Sequence, residues 1–153
     1  MKIGLVFSGG GSRGAYEIGV WKALEKLNIK CDIVTGTSIG SINAAMYVQG
    51  NLKQAEQMWN DLSFKTVFSE DFDYKSSKDD LKVKLKYLKS AKKGGIEPTN
   101  LKQNLIECID IDKFYNSNIN YGLVTVKYPK LDVIELIKNK IPKDKLIDYI
   151  IAS

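Results

Sequence analysis

Gly36-Thr37-Ser38-Ile39-Gly40 joins a short apolar run, residues 31–35, to a stretch of helical character, residues 39–48, that stops at Gly50-Asn51. The spacing Gly-x-Ser-x-Gly suits a sharp turn from strand into helix. Glycines on both sides remove side chains where strand and helix approach, and a hydroxyl is left at the apex. Working outward to the N-terminus, residues 2–7 are apolar and β-branched and end in glycines, as a buried strand does. Tyr16, Val20, Ala23, Leu24 and Leu27 then recur at helical spacing and predict a helix with that apolar face, closed by Asn28. The order is strand, loop, helix, strand, loop, helix. Parallel strands joined by right-handed crossovers bring both strand-to-helix loops to one carboxyl edge of a sheet, so residues 9–14 and 36–40 are expected side by side.

The 153 residues, 44% hydrophobic, suffice for one sizeable core and not for two ordinary domains, so residues 1–153 are read as a single α/β domain. Cys31 and Cys108 lie far apart without metal-ligand spacing, which predicts reduced, buried thiols in the cytoplasm rather than a disulfide framework or zinc site. The apolar run 3–7 is too short for a signal peptide, and no run has the length of a bilayer span. A soluble protein, peripheral at membranes at most, is expected. Residues 54–62 look helical. A lysine-rich covering segment follows over about 62–97, with Leu81, Leu85 and Leu88 as its apolar stripe. Thr99 or Asn100 is placed to cap a helix to about Ile109. Residues 119–127 and 133–137 read as strands around the turn Tyr128-Pro129-Lys130, and residues 144–151 as a last helix. The net charge of +5 is concentrated between Lys75 and Lys93. A solvated outer helix face accounts for those lysines, and so does contact with an anionic membrane surface. Neither a binding motif nor arginine enrichment accompanies them, so no nucleic-acid partner is expected.

Gly9-Gly10-Gly11-Ser12-Arg13-Gly14 satisfies Gly-x-Gly-x-x-Gly between a strand and a helix, which brings dinucleotide binding into question. That use requires an acidic residue at the far end of the second strand, and the nearby candidate, Asp32, sits at its start. A phosphate-binding P-loop fails as well, since no lysine followed by Ser or Thr closes the glycines. The alternative use is electrostatic: consecutive glycine N–H groups converge beside a helix N-terminus and favour a developing oxyanion, with Arg13 adding positive charge. Ser38, on the neighbouring loop, is suited to create one. The plain alternative is that Ser38 is an N-cap and the glycines are turn residues.

The chain contains no histidine. A Ser-His-acid triad within it is therefore excluded, and the base must be a carboxylate, a lysine or a group from another chain, of which a carboxylate of raised pKa in reach of the serine is the consistent choice. These residues resemble the patatin-like phospholipase family, which combines Gly-Gly-Gly-x-Arg-Gly after the first strand, a Gly-x-Ser-x-Gly elbow after the second, and a Ser–Asp dyad. The resemblance implies an α/β fold of three layers, with a mostly parallel sheet flanked by helices. It implies an oxyanion loop of Gly9, Gly10, Gly11, Arg13 and Gly14, and Ser38 as nucleophile within the elbow of Gly36, Thr37, Ile39 and Gly40. It also implies lipid acyl-ester hydrolysis without metal or cofactor.

One element of the family pattern is missing. Its aspartate lies in an Asp-Gly-Gly or Asp-Gly-Ala turn, and this chain has no Asp-Gly pair. The expectation is that the polypeptide is the N-terminal part of such a domain, ending at Ser153 before the aspartate strand. Asp71, Asp73 and Asp110 are the substitutes that can be proposed. A silent fold that binds lipid or a partner protein through the same cleft is the competing expectation. Oligomeric state is left open.

Overall fold

The computed structural model describes residues 1–61 and 99–153. Four strands form one sheet in the order β1-β2-β3-β4: β1 (Gly4–Phe7), β2 (Ile33–Thr37), β3 (Asn120–Lys127) and β4 (Asp132–Ile137). The first three are parallel, with Phe7 level with Gly36 and Gly36 with Leu123, while β4 returns antiparallel to β3. The sheet is thus mixed and mostly parallel, flanked by helices, as the sequence predicts. It places β2 and the serine loop that follows it between β1 and β3.

Helix α1 (Gly14–Lys26) follows β1 and α2 (Ile39–Gln49) follows β2. Helix α2 is the centre of the core. Residues 40–49 are all buried, Ala44 and Ala45 completely, because the helix lies on the sheet and is enclosed by α1, by α3 (Leu52–Asp61) and by a short helix considered below. A helix buried all round has no need of an amphipathic pattern, and α2 shows none. Its end at Gly50 follows from backbone freedom: Gly50 is left-handed at φ 76°, and its N–H bonds the Tyr47 carbonyl. On the sheet side Val34, Tyr121 and Leu123 meet α2. Large apolar side chains buried in this way contribute about 1.5–3 kcal/mol each.

The apolar face of α1 differs from the expected one. Ile18 and Trp21 are buried, whereas Tyr16 is 82% and Leu27 68% exposed, with Val20 partly so; of the expected face, Leu24 packs half-buried against the core. The two stripes are offset by about two residues, nearly opposite on a cylinder of 3.6 residues per turn. Close approach decides between them. A Cβ on Gly14 would lie 2.7 Å from the Trp59 ring and 2.9 Å from Ile39, so Gly14 turns the Ile18–Trp21 face inward, where the Trp21 ring meets that of Tyr47 at a tilt, 5.0 Å between centroids.

Helix α4 (Thr99–Cys108) begins where expected. A six-residue helix, α5 (Ile111–Asn116), is an element the periodicity did not reveal. It is specified by its cap: Asp110 Oδ1 accepts the Lys113 N–H at 3.0 Å. Its one buried side chain, Phe114, packs edge-on against Tyr121 at 5.0 Å. The last helix, α6 (Leu146–Ala152), starts two residues later than predicted because residues 143–145 form a 3-10 turn, with Lys145 N–H bonded to the Pro142 carbonyl. Both cysteines are free thiols; Cys31 is buried as expected, whereas Cys108 is only half-buried. The Leu81-Leu85-Leu88 stripe and the lysines around it lie outside the described residues.

Candidate active site

Ser38 stands between β2 and α2 with φ 55° and ψ −130°, a conformation that L-residues rarely adopt and that costs on the order of 1–3 kcal/mol. It occupies the N-cap position, yet its side chain makes no cap hydrogen bond and the residue is exposed. The hydroxyl is therefore not committed to the helix end, as the plain N-cap reading requires. The flanking glycines are set by space. A Cβ on Gly36 would fall inside the Gly40 carbonyl, and one on Gly40 would come 2.5 Å from the Phe7 carbonyl oxygen and 2.7 Å from that of Ser8. Thr37 ends β2 exposed, and Ile39 opens α2 half-buried.

Residues 9–14 meet this turn, as expected of two loops at one sheet edge. A Cβ on Gly9 would lie 3.2 Å from Ser38 Cβ, 3.5 Å from the Thr37 carbonyl oxygen and 4.0 Å from Ser38 Oγ. Gly10 at φ 153° and Gly11 at φ 58° hold conformations that favour glycine, and Arg13 N–H closes the turn on the Gly10 carbonyl at 3.3 Å. Arg13 folds back along the loop, close enough that a Cβ on Gly10 would touch its side chain at 3.4 Å. Ser8, Gly9, Ser12, Arg13, Tyr16 and Glu17 line an open cleft of about 650 Å³ beside the loop, within the size range of ligand sites.

Asn43, fully buried on α2 five residues beyond Ser38, was not singled out in the sequence. Its Nδ2 donates to the Gly14 carbonyl at 3.0 Å and to Glu17 Oε2 at 2.8 Å, while its Oδ1 accepts from Trp59 Nε1 at 2.9 Å. It ties the start of α1, directly after the glycine loop, to α2 and α3. The available signal was an amide in the middle of a helix of mostly small and apolar residues, since a buried amide must find partners.

The backbone of Ser38 is held by two other serines. Its N–H donates to Ser153 Oγ at 3.0 Å, and its carbonyl accepts from Ser41 N–H at 2.8 Å and from Ser41 Oγ at 2.6 Å.

Among the described residues no carboxylate hydrogen-bonds Ser38. Asp110 lies at the other end of α2. Its N–H donates to Gln49 Oε1 at 2.8 Å, and its carboxylate caps α5, where the Lys113 backbone N–H and side chain hold it below the usual carboxylate range. Eleven residues of helix separate it from Ser38, about 16 Å at 1.5 Å per residue, so Asp110 is removed as a substitute base. Asp71 and Asp73 lie outside the described residues. Asp32 accepts the Ile3 N–H at 2.7 Å at the amino edge of the sheet, opposite the glycine loop, which removes it as a ribose ligand. Among the described residues no cluster of three or more His, Cys, Asp or Glu side chains could hold a metal ion, and no helix is long and apolar enough to cross a membrane.

A strained strand-to-helix serine pressed against a glycine loop, at the carboxyl edge of a mixed sheet, defines an α/β protein with a serine at a strand-to-helix elbow. Residues 5–153 match the profile of the patatin-like phospholipases, and the chain belongs to that family. It is 53% identical over 47 residues to the lysophospholipase nte1 of Aspergillus terreus, an overlap of 31% of this chain and 3% of that protein. It is also 46% identical over 61 residues to the patatin-like phospholipase domain-containing protein 6 of Mus musculus, covering 37% of this chain and 4% of the relative. The chain thus spans a few hundredths of the length of these relatives. The crystal structure of VipD from Legionella pneumophila superposes on 97% of this chain and 41% of its own, with a TM-score of 0.62 and 13% identity, which shows a shared fold.

Proposed function

We propose that this chain carries the nucleophile and the oxyanion-binding half of a lipid acyl hydrolase. Ser38 Oγ attacks the ester carbonyl carbon, and its proton passes to a carboxylate that is not among the described residues. N–H groups around Gly10 and Gly11 stabilise the tetrahedral oxygen, and collapse expels the alcohol, which takes that proton back. Water then repeats the sequence on the acyl-serine and releases the fatty acid. The observation that carries this reading is the contact of Gly9 with a Ser38 whose backbone is strained and whose hydroxyl is uncommitted. The Ser–Asp dyad, the lipid ester substrate and a peripheral membrane contact are supported by family membership. Two free thiols support a reducing compartment such as the cytoplasm.

The test is turnover of a reporter ester together with labelling by a fluorophosphonate. Both should vanish in Ser38→Ala, and turnover that survives the substitution refutes the nucleophile assignment. A second reading is favoured by the missing carboxylate partner: a silent fold that binds lipid in the cleft. It expects lipid binding unchanged in Ser38→Ala and no labelling of the wild-type chain.

A further inference from the structure

A serine at φ 55° keeps that conformation only if its surroundings over-determine it. The flanking glycines explain how the turn fits, but not what holds it. The backbone bonds of Ser38 do. Ser153 Oγ accepts the Ser38 N–H at 3.0 Å and donates its own O–H to the Val124 carbonyl of β3 at 2.5 Å, so one hydroxyl bridges the nucleophile to the neighbouring strand. On the other side Ser41 Oγ donates to the Ser38 carbonyl at 2.6 Å and sits 3.4 Å from the Ile150 carbonyl. Ser41 is completely buried, and Tyr121 Oη donates to its carbonyl at 3.0 Å, which fixes it in turn. Both hydroxyls are placed against α6 or its end, and α6 is anchored by buried Leu146 and Ile150 and by the Thr125 hydroxyl on the Ala152 carbonyl.

We propose that Ser41 and Ser153 are positioning residues for the nucleophile: their hydroxyls clamp the carbonyl and the N–H of Ser38 and so hold Oγ against the glycine loop. The effect on reactivity rests on the hydrolase reading above; the effect on geometry does not. A hydroxyl is needed on each side for different reasons. At Ser153 it must accept and donate at once, which neither an alkyl group nor an ammonium can do. At Ser41 it adds a second donor to a carbonyl that already receives the first bond of α2.

The test uses the full chain, with Ser153→Ala, Ser41→Ala and Ser153→Thr. Asp110→Ala serves as a control that loses a helix cap about one helix length from the elbow. Three quantities are read: the second-order rate constant of fluorophosphonate labelling, hydrogen exchange of the Ser38 amide by NMR, and the thermal midpoint. The two alanine variants should each slow labelling by about tenfold or more, the effect of one lost hydrogen bond that positions a reacting group. Ser153→Ala should also speed Ser38 amide exchange by about tenfold, and Ser153→Thr should restore both towards wild type. Asp110→Ala should lower the thermal midpoint and leave both quantities unchanged. Labelling within twofold of wild type in both alanine variants overturns the proposal, as does equal slowing in Asp110→Ala. If the wild-type chain is not labelled at all, the hydrolase reading fails, and the clamp is then judged on exchange. A Ser38 amide already unprotected in the wild type, or unaffected by Ser153→Ala, refutes it.

Discussion

Replacing Asn43 by leucine tests whether one buried amide holds the glycine loop to the rest of the core. The two side chains have the same number of heavy atoms and the same branching, so the change is chiefly one of hydrogen bonding rather than of shape. Three bonds are lost, to the Gly14 carbonyl, to Glu17 Oε2 and from Trp59 Nε1. At about 1 kcal/mol net per bond the loss is about 3 kcal/mol. The partners do not suffer equally. Gly14 is buried, while Glu17 and Trp59 are half-buried and recover part of their bonding from water, which holds the total near that figure. Burying the leucine in place of the amide returns about 1 kcal/mol, leaving a net loss of about 2 kcal/mol. For a domain of this size that lowers the thermal midpoint by about 4–8 °C. Urea denaturation followed by tryptophan fluorescence reports it, since Trp21 and Trp59 both lie at this junction. The midpoint should fall with unchanged slope. A variant within about 0.5 kcal/mol of wild type, the usual range of a surface substitution, would show that the amide network contributes nothing and that the glycine loop is held by other means.

Gly9→Ala puts a methyl 3.2 Å from Ser38 Cβ at a position whose backbone admits it, so stability should fall by only about 1 kcal/mol. Labelling of Ser38 by a fluorophosphonate should slow by up to about 100-fold, because small displacements of reacting groups cost that much, and wild-type labelling would contradict the loop's role. Burial first, then hydrogen bonding with the Cys31 side chain, pushes the Tyr47 phenol up to about 12 from its ordinary 10.0. A raised folded pKa contributes stability that is complete below pH 10 and is lost as pH rises towards 12, since the unfolded chain releases the proton first. Urea midpoints measured across that window should decline, and less steeply in Tyr47→Phe.

The elements that position the site were legible for a physical reason. A strand that must end in a tight loop shows its glycines, and residues 9–14 and 36–40 announce both loops and their common edge. Face assignment on α1 was not legible, because the helix carries apolar residues on two sides. Tyr16, Val20 and Leu27 make as regular a stripe as Ile18 and Trp21. The arbiter is the space left by Gly14 for Trp59 and Ile39, a contact between residues far apart in sequence. Helix α5 escaped for a related reason. Six residues are too few for a periodic signal, and the Asp110 cap gains meaning only once Gln49 is seen bonding its N–H. Asn43, Ser41 and Ser153 belong with these. Each is an ordinary polar residue until the fold brings it to a backbone group.

That distribution bears on what the elbow requires. Glycines alone make the turn at Ser38 sterically admissible, but an admissible conformation at positive φ is still unfavourable by on the order of 1–3 kcal/mol. The compensation comes from one group distant in sequence, Ser153, and from a near neighbour, Ser41, that distant residues hold in place. The Ser153 hydroxyl borrows an acceptor from β3, and the buried Ser41 is fixed by Tyr121. None of these partners is a titrating group near neutral pH. Burial drives the Tyr121 phenol well above its ordinary range. The geometry of Ser38 is therefore built from neutral hydrogen bonds and contacts, independent of any carboxylate that would take its proton under the proposed reaction. A pH dependence of labelling near neutrality would then report the base and not a melting of the elbow, and the Ser38 amide should stay protected across a pH range in which labelling rises and falls.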